Sequence, residues 1–203
     1  MTKIKNVVFD LGRVIYNFWP RQDLLNLGFS EQRADEIMAS VFNDPLWIEC
    51  DKGLMMKDDV RAVIREKHPH LVQDMEVAFD ETWVNRVITI MPESLEFFHD
   101  VKRRGFDVYI LSNFPKESFE EVRARDSFFG EVKGMVISCY EHLIKPDLAI
   151  YQRLLTRYKL SPHETIFIDD LAANIAAAES LGIKGIIFTD LADCKRQFEE
   201  LIK

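Results

Sequence analysis

Four short apolar runs in this sequence are each followed by residues able to do chemistry. Asp10 follows Val7-Val8-Phe9, and Ser112 with Asn113 follows Val108-Tyr109-Ile110-Leu111. Lys145-Pro146 lies in the loop after Met135-Val136-Ile137, and Asp169-Asp170 follows Ile166-Phe167-Ile168. If the runs are parallel strands, their carboxyl ends share one edge, where open α/β sheets build their sites. Two carboxylates from separate strands together with a lysine suit phosphoryl chemistry. A Mg²⁺ ion takes oxygen ligands and offsets phosphate charge. A lysine adds a point charge on the transferring group, while Ser and Asn donate hydrogen bonds to its oxygens. An aspartate can itself attack phosphorus and form an aspartyl phosphate. A single Asp at a strand end is commonly a cap or turn residue; four coincident polar strand ends call for another explanation.

The elements that would position these groups are readable from periodicity. A fifth run, Ile186-Ile187-Phe188, completes the set, and each run is continuous rather than alternating, as expected where both faces of a sheet are covered. Helical periods lie between them: Leu95, Phe98 and Val101; Tyr151, Leu154, Leu155 and Tyr158; Leu171, Ile175 and Ala178. Cys194, Phe198 and Leu201 suggest a closing helix. Strand and helix alternate from residue 93 onward, which predicts a doubly wound parallel sheet. From Phe18 to Ile88 the rhythm breaks, with helical stripes at Ala34, Ile37, Met38 and Val41, at Val60, Val63 and Ile64, and at Val72, Met75, Phe79 and Trp83. Ser30 is placed to cap the first of these helices. A helical block of ~70 residues is too long for a loop. The expected fold is therefore α/β, a Rossmann-like three-layer core with a parallel sheet (1–17 and 89–203) plus an inserted all-helical cap (18–88).

Composition narrows the function classes. The chain has 203 residues, 34 acidic against 26 basic and a formal net charge of −8, with 47% hydrophobic residues. That apolar content excludes a disordered chain, and no run of ~18 apolar residues is present to span a membrane. An Asp ten residues in is wrong for a signal peptide. The three cysteines, Cys50, Cys139 and Cys194, show no CxxC spacing and read as reduced thiols of a cytoplasmic protein. The acid excess argues against nucleic acid or a membrane surface as partner. Oligomeric state has no signature here.

The segments VVFDLGRV, ILSN, the lysine of IKPDLAIYQ, and FIDDLAANIAAAESLGI occur in the order of the four motifs of the haloacid dehalogenase (HAD) superfamily, which the whole core resembles. The helical insert falls where that family carries its helical C1 cap. The resemblance implies that Asp10 is the nucleophile and a Mg²⁺ ligand, that Ser112 and the Asn113 backbone hold phosphate, and that Lys145 orients Asp10 and offsets phosphate charge. It places Asp170 at the main metal-ligand position and Asp169 either behind the metal's ligands or as an auxiliary ligand, with Asn174 in place of the motif's last Asp. Gly12 would contribute its backbone carbonyl to the metal. Most phosphatases of the family carry at that position a second Asp, the general acid and base, which is missing here. Anomeric, acyl or aryl phosphates are therefore expected to be preferred over primary alkyl phosphates, and breakdown of the aspartyl phosphate should be slow. The FDLGxV subgroup, which the first motif resembles, includes phosphatases of hexose 1-phosphates such as α-glucose 1-phosphate. In it Gly or Asn more often stands at the position of Arg13, and Gly at that of His142.

The expected partner is a small phosphorylated metabolite such as a sugar phosphate. Two rivals remain. The metal-free 2-haloacid dehalogenase branch also lacks the second Asp, but carries Ser and Asn where this chain has Asp169-Asp170, and two extra carboxylates suit a metal better than a halide site. A catalytically weak phosphometabolite-binding module is the other. Among secondary candidates, Arg21 is placed to contact substrate and His142 to replace the missing acid. Trp47 and Glu49 would line the insert's inner face, with Asp51-Lys52-Gly53 as a turn. Trp83 and Cys139 read as core, His68 and His70 as a helix end, and Ser161–Glu164 as a capping box.

Overall fold

A computed structural model of the protein describes residues 3–203. The chain opens with β1 (Asn6–Phe9) and β2 (Tyr16–Phe18), then runs through α1 (Pro20–Asn26), α2 (Glu31–Ile37), α3 (Pro45–Asp51), α4 (Lys57–Lys67), α5 (Val72–Ala78) and α6 (Trp83–Val87). It returns through β3 (Ile88–Ile90), α7 (Pro92–Arg103), β4 (Asp107–Ser112), α8 (Lys116–Arg125), β5 (Gly134–Ile137) and α9 (Ser138–Glu141). The remainder is α10 (Leu148–Tyr158), β6 (Thr165–Asp169), α11 (Ala172–Ser180), β7 (Lys184–Ile187) and α12 (Leu191–Leu201).

The five expected strands form one sheet in the order β5-β4-β1-β6-β7, with every pairing parallel. Their uninterrupted hydrophobicity follows from being covered twice. Val7, Phe9, Val108, Ile110, Ile166 and Ile168 pack on one face with Phe97 and Phe98 of α7, Phe119 of α8 and Phe198 of α12. Val8, Tyr109, Leu111 and Phe167 pack on the other with Tyr151 and Leu154 of α10 and Ile175 of α11. The chain builds outward from β1 through β4 to β5, then crosses back to β6 and β7. The reversal of strand order thus lies at β1, and Asp10 follows it directly.

The segment between β2 and β3 has an apolar cluster of its own, including Leu24, Ile37, Val41, Ile64, Leu71 and Met75. Ser30 caps α2 by accepting from the Arg33 amide at 3.2 Å, and the Met38–Phe42 turn that follows is a π-helix. Some features differ from the sequence reading. The stretch expected to hold only helices is pinned at its root by β2 and β3, which pair antiparallel with Phe18 opposite Ile88. Leu171, placed on a buried helical stripe, is the exposed residue before α11. Ser161 begins a single 3₁₀ turn without a side-chain cap, so the expected capping box is not made.

Candidate active site

The floor of the site is a buried lysine between two carboxylates. Lys145 Nζ lies 2.8 Å from Asp10 Oδ1 and 2.7 Å from Asp169 Oδ2, with both side chains and the lysine itself almost fully shielded. The Asp169 contact is a hydrogen bond. The Asp10 contact is an ion pair, and Asp10 Oδ1 has no hydrogen-bond partner. Burial works against the lysine's charge, but Asp10 and Asp169 together hold its pKa above the ordinary value.

Asn113 explains why Lys145 is so well placed. Its side chain donates to the Lys145 carbonyl at 3.0 Å and accepts from the Lys145 amide at 2.8 Å, clamping the loop at its cis Lys145–Pro146 peptide. That amide is therefore committed to the loop, and phosphate would meet Asn113 through its backbone. Ser112 sits beneath, buried at the end of β4.

Asp169 and Asp170 do different things although adjacent. Asp169 accepts from the Leu171 amide and Asn174 at Oδ1, and from Lys145 and Asn174 at Oδ2. All four of its lone-pair directions are occupied, and through one of them it anchors Lys145. Asp170 faces the cavity, with Arg13 Nη1 3.7 Å away. Burial first, and Asp169 second, raise its carboxyl above the usual range.

One ligand oxygen each from Asp10, Asp169 and Asp170 can be chosen within 4.8 Å of one another. The carboxyls of Asp10, Asp169 and Asp170 outnumber Lys145 and the more distant Arg13, and a buried Asp10 oxygen lacks a donor. Oxygen-only, acid-rich and under-neutralised, the set fits a hard divalent cation such as Mg²⁺. Asp10, Asp170 and the Gly12 carbonyl are the groups free to hold it. Metal-free, Asp10 is pushed up to about 7, chiefly by burial, with Lys145 opposing and Asp169 reinforcing the shift. A cation would restore the ionised form.

Above this floor is a cavity of about 250 Å³ with walls from Tyr16, Phe18, Trp47, Trp83, Phe114 and Leu171. A second, smaller cavity of about 60 Å³ shares Trp47, Trp83, Pro115 and Ser118 with it. Phe18, Trp47 and Trp83 of the wall pack with Phe42 and Phe79 in tilted and edge-to-face contacts, at centroid distances of 4.6 to 6.4 Å.

A family model of haloacid dehalogenase-like hydrolases matches residues 4–182, a span that contains every group above. The chain belongs to the haloacid dehalogenase-like hydrolases. This hydrolase is 26% identical over 196 residues to the sesquiterpene phosphatase astK of Aspergillus oryzae, covering 95% of this chain and 94% of that one. It is 23% identical to the D-ribitol-5-phosphate phosphatase of Bacteroides thetaiotaomicron, covering 98% of each. Other curated relatives are longer, the hydrolase spanning 36% and 39% of two of them. Among solved structures, the HAD family enzyme bt-2542 of B. thetaiotaomicron, in complex with magnesium and inorganic phosphate, superposes with a TM-score of 0.72. It is 25% identical, and the match covers 91% of this chain and 93% of that one.

The structure brings Asp10, Gly12, Asn113, Lys145, Asp169 and Asp170 together, with Ser112 below them. It does not bring Arg21 there. Arg21 pairs with Asp35 at 2.6 Å and Glu31 at 3.8 Å on the outer side of the insert, because an early α1 position faces α2. His142 is likewise occupied, its Nδ1 lying 2.7 Å from the Lys52 carbonyl. Glu49 pairs with Lys52, while Trp47 does line the cavity. Trp83 belongs to the aromatic cluster and also reaches the cavity wall. Asp51, expected only as part of a turn, lines the same cavity as Asp10. A signal for it existed: four residues after Trp47, it shares that residue's face of α3.

Proposed function

We propose that this hydrolase is a Mg²⁺-dependent phosphatase that cleaves small monophosphate esters through an aspartyl phosphate on Asp10. The observation that carries the reading is the buried Asp10–Lys145 pair at the β1 end, beside an acidic group that calls for a cation. Asp10, Asp170 and the Gly12 carbonyl would hold Mg²⁺, which when bound offsets charge on the phosphoryl oxygens. Lys145 favours the ionised form of Asp10 and aims it, and a bound cation would complete that ionisation. The lysine's positive charge, with backbone donors near Asn113, stabilises the oxygens as phosphorus is attacked. Asp169 holds the lysine in line.

The helical insert, 18–88, serves as a cap that covers the cavity and excludes water. Its walls bear on the organic part of the substrate. Tyr16 directs its hydroxyl to Asp126 at 2.6 Å, and the Asn113 amide is committed to Lys145. Polar groups remain at Arg13, Asp51 and Ser118, but aromatic surface makes up most of the walls. The reading therefore favours an aryl, alkyl or terpenyl monophosphate over the hexose 1-phosphate suggested by the first motif. A relative that is a sesquiterpene phosphatase supports this choice. Three free, buried cysteines suit a reducing compartment such as the cytoplasm. No helix among the described residues is long and apolar enough to cross a membrane.

The test is phosphate release from aryl, alkyl, terpenyl and hexose monophosphates, and halide release from 2-haloacids, with Mg²⁺ or EDTA. Phosphate release that needs both Mg²⁺ and Asp10, fastest on apolar esters, is the expected result. Release surviving Asp10→Asn or EDTA would overturn the reading, and halide release without metal would establish the dehalogenase instead.

A further inference from the structure

An alkyl phosphate leaves as an alkoxide unless a nearby acid gives it a proton, and general acid assistance contributes ~10²–10⁴-fold. The sheet edge does not supply that acid. Gly12 has no side chain, Asp10 is the attacking group, Asp169 is saturated with hydrogen bonds, and Asp170, with Arg13 3.7 Å away, would be taken up by the cation. Asp51, at the last turn of α3, lines the same cavity as Asp10 and Lys145. The residue keeps some surface, but its Oδ1 is shut from solvent and has no hydrogen-bond partner. A buried carboxyl oxygen without a donor is costly and calls for an explanation.

The turn carrying Asp51 is fixed to the core by three contacts. Ser138 Oγ donates to the Asp51 carbonyl at 2.5 Å and accepts from the Phe114 amide at 2.9 Å. The His142 Nδ1–H donates to the Lys52 carbonyl at 2.7 Å, which fixes the ring's tautomer because a carbonyl only accepts. Gly53 has a φ of +70° and lies so close to α9 that a Cβ would meet the Cys139 carbonyl oxygen at 2.3 Å. Such a contact admits only glycine and seats the turn in one place.

We propose that Asp51, carried on the helical insert instead of the sheet edge, is the general acid and base of this hydrolase. The proposal rests on the phosphatase reading. As an Asp10 oxygen bonds to phosphorus and the P–O bond to the alcohol breaks, the Asp51 carboxylic acid gives its proton to the departing oxygen. The products of this step are the alcohol, the aspartyl phosphate and the Asp51 carboxylate. That carboxylate then takes a proton from water as the water oxygen attacks phosphorus and the P–O bond to Asp10 breaks. Phosphate leaves, and both aspartates return to their starting forms. A protonated Asp51 at neutral pH agrees with its raised pKa of about 7, caused by burial, with Lys145 opposing and Asp10 adding to the shift. The poor turnover of primary alkyl esters expected from Gly12 is then not the behaviour of the folded protein.

The experiment compares wild type and Asp51→Asn on a p-nitrophenyl ester, whose leaving group needs no proton, and on an n-octyl ester, whose leaving group does. Asp51→Asn should lower kcat on the octyl ester by ~10²–10⁴-fold. In rapid mixing with the aryl ester it should still release about one nitrophenol per protein at the wild-type rate, then stall as the aspartyl phosphate waits for an activated water. That first turnover also certifies the fold of the variant. Octyl turnover left unchanged, or a first aryl turnover slowed as much as the octyl reaction, would overturn the proposal. Wild type releasing phosphate from neither ester with Mg²⁺ would be a separate result, one that defeats the phosphatase reading and the proposal with it.

Discussion

Lys145 concentrates the residue-scale logic of the site, a cation whose two partners are as buried as itself. Breaking a buried pair leaves uncompensated charge, typically ~3–5 kcal/mol. Lys145→Met should therefore lower stability in urea melts by about that amount and also abolish phosphate release; unaltered stability would mean that the carboxylates find another partner. Gly12 has open space where a Cβ would go and no backbone strain. An aspartate introduced there in an Asp51→Asn background should restore at least ~10-fold of octyl ester turnover, as general acid assistance is worth ~10²–10⁴-fold. Asp10, Asp170 and Lys145 were legible in the sequence because strand ends are where a parallel sheet exposes side chains. Asp169 was legible as a position, while its hold on Lys145 shows only in the packed site. Arg21 misled because proximity along the chain to β1 says nothing about which way α1 faces. Arg13 and His142, at φ of +59° and +56°, hold a left-handed backbone that favours Gly or Asn. The chain holds them there with contacts of their own. Arg13 lies over the Trp19 ring at 4.1 Å, and His142 bonds to the Lys52 carbonyl.

At the scale of elements, α3 and α9 decide whether the cavity is complete. Their junction depends on Gly53, where alanine would face both a left-handed backbone costing ~1–2 kcal/mol and a carbonyl already in place. Gly53→Ala should displace the turn and lower octyl ester kcat at least ~10-fold, within the span assigned to acid assistance. The first aryl turnover, which depends on Asp10 and Lys145, should be largely spared. Equal loss on both esters would place the damage in the core instead. The five strands and most of the helical stripes were readable because each carries a long enough apolar pattern to fix its period, but Leu171 lies outside α11 and the stripe through Phe79 and Trp83 breaks between α5 and α6. The β2–β3 pair was not, since three-residue strands give no period, and the pairing depends on bringing Phe18 and Ile88 together across the whole insert. Asp51 escaped for a similar reason. Its face of α3 was inferable from Trp47, but its docking against Ser138 is a long-range contact.

For the molecule as a whole, a buried carboxyl lacking a donor trades stability for chemistry. Asp51 rises from 3.8 to about 7 on folding, because of burial, while Lys145 and Asp10 act across the cavity in opposite senses. An acid whose folded pKa is raised contributes stability that is complete below the unfolded value and lost as pH rises through the folded one. The metal-free protein should therefore lose stability between about pH 4 and pH 7, with Asp51 accounting for ~2–4 kcal/mol. Asp51→Asn should flatten that loss and raise Tm at pH 8 while removing alkyl ester turnover, and Mg²⁺ should raise the wild-type Tm at pH 8 by mass action. A Tm for Asp51→Asn below wild type at pH 8 would contradict the burial of an unpaired carboxylate. The most direct measurement of the central claim is rapid acid quench of the hydrolase turning over an aryl phosphate, followed by peptide mass spectrometry and borohydride reduction. One phosphoryl group on the peptide containing Asp10, formed only with Mg²⁺ and converted by borohydride to homoserine at that position, is expected. Phosphate release with Asp10 unmodified throughout, or an acyl phosphate found on another carboxylate, would contradict it.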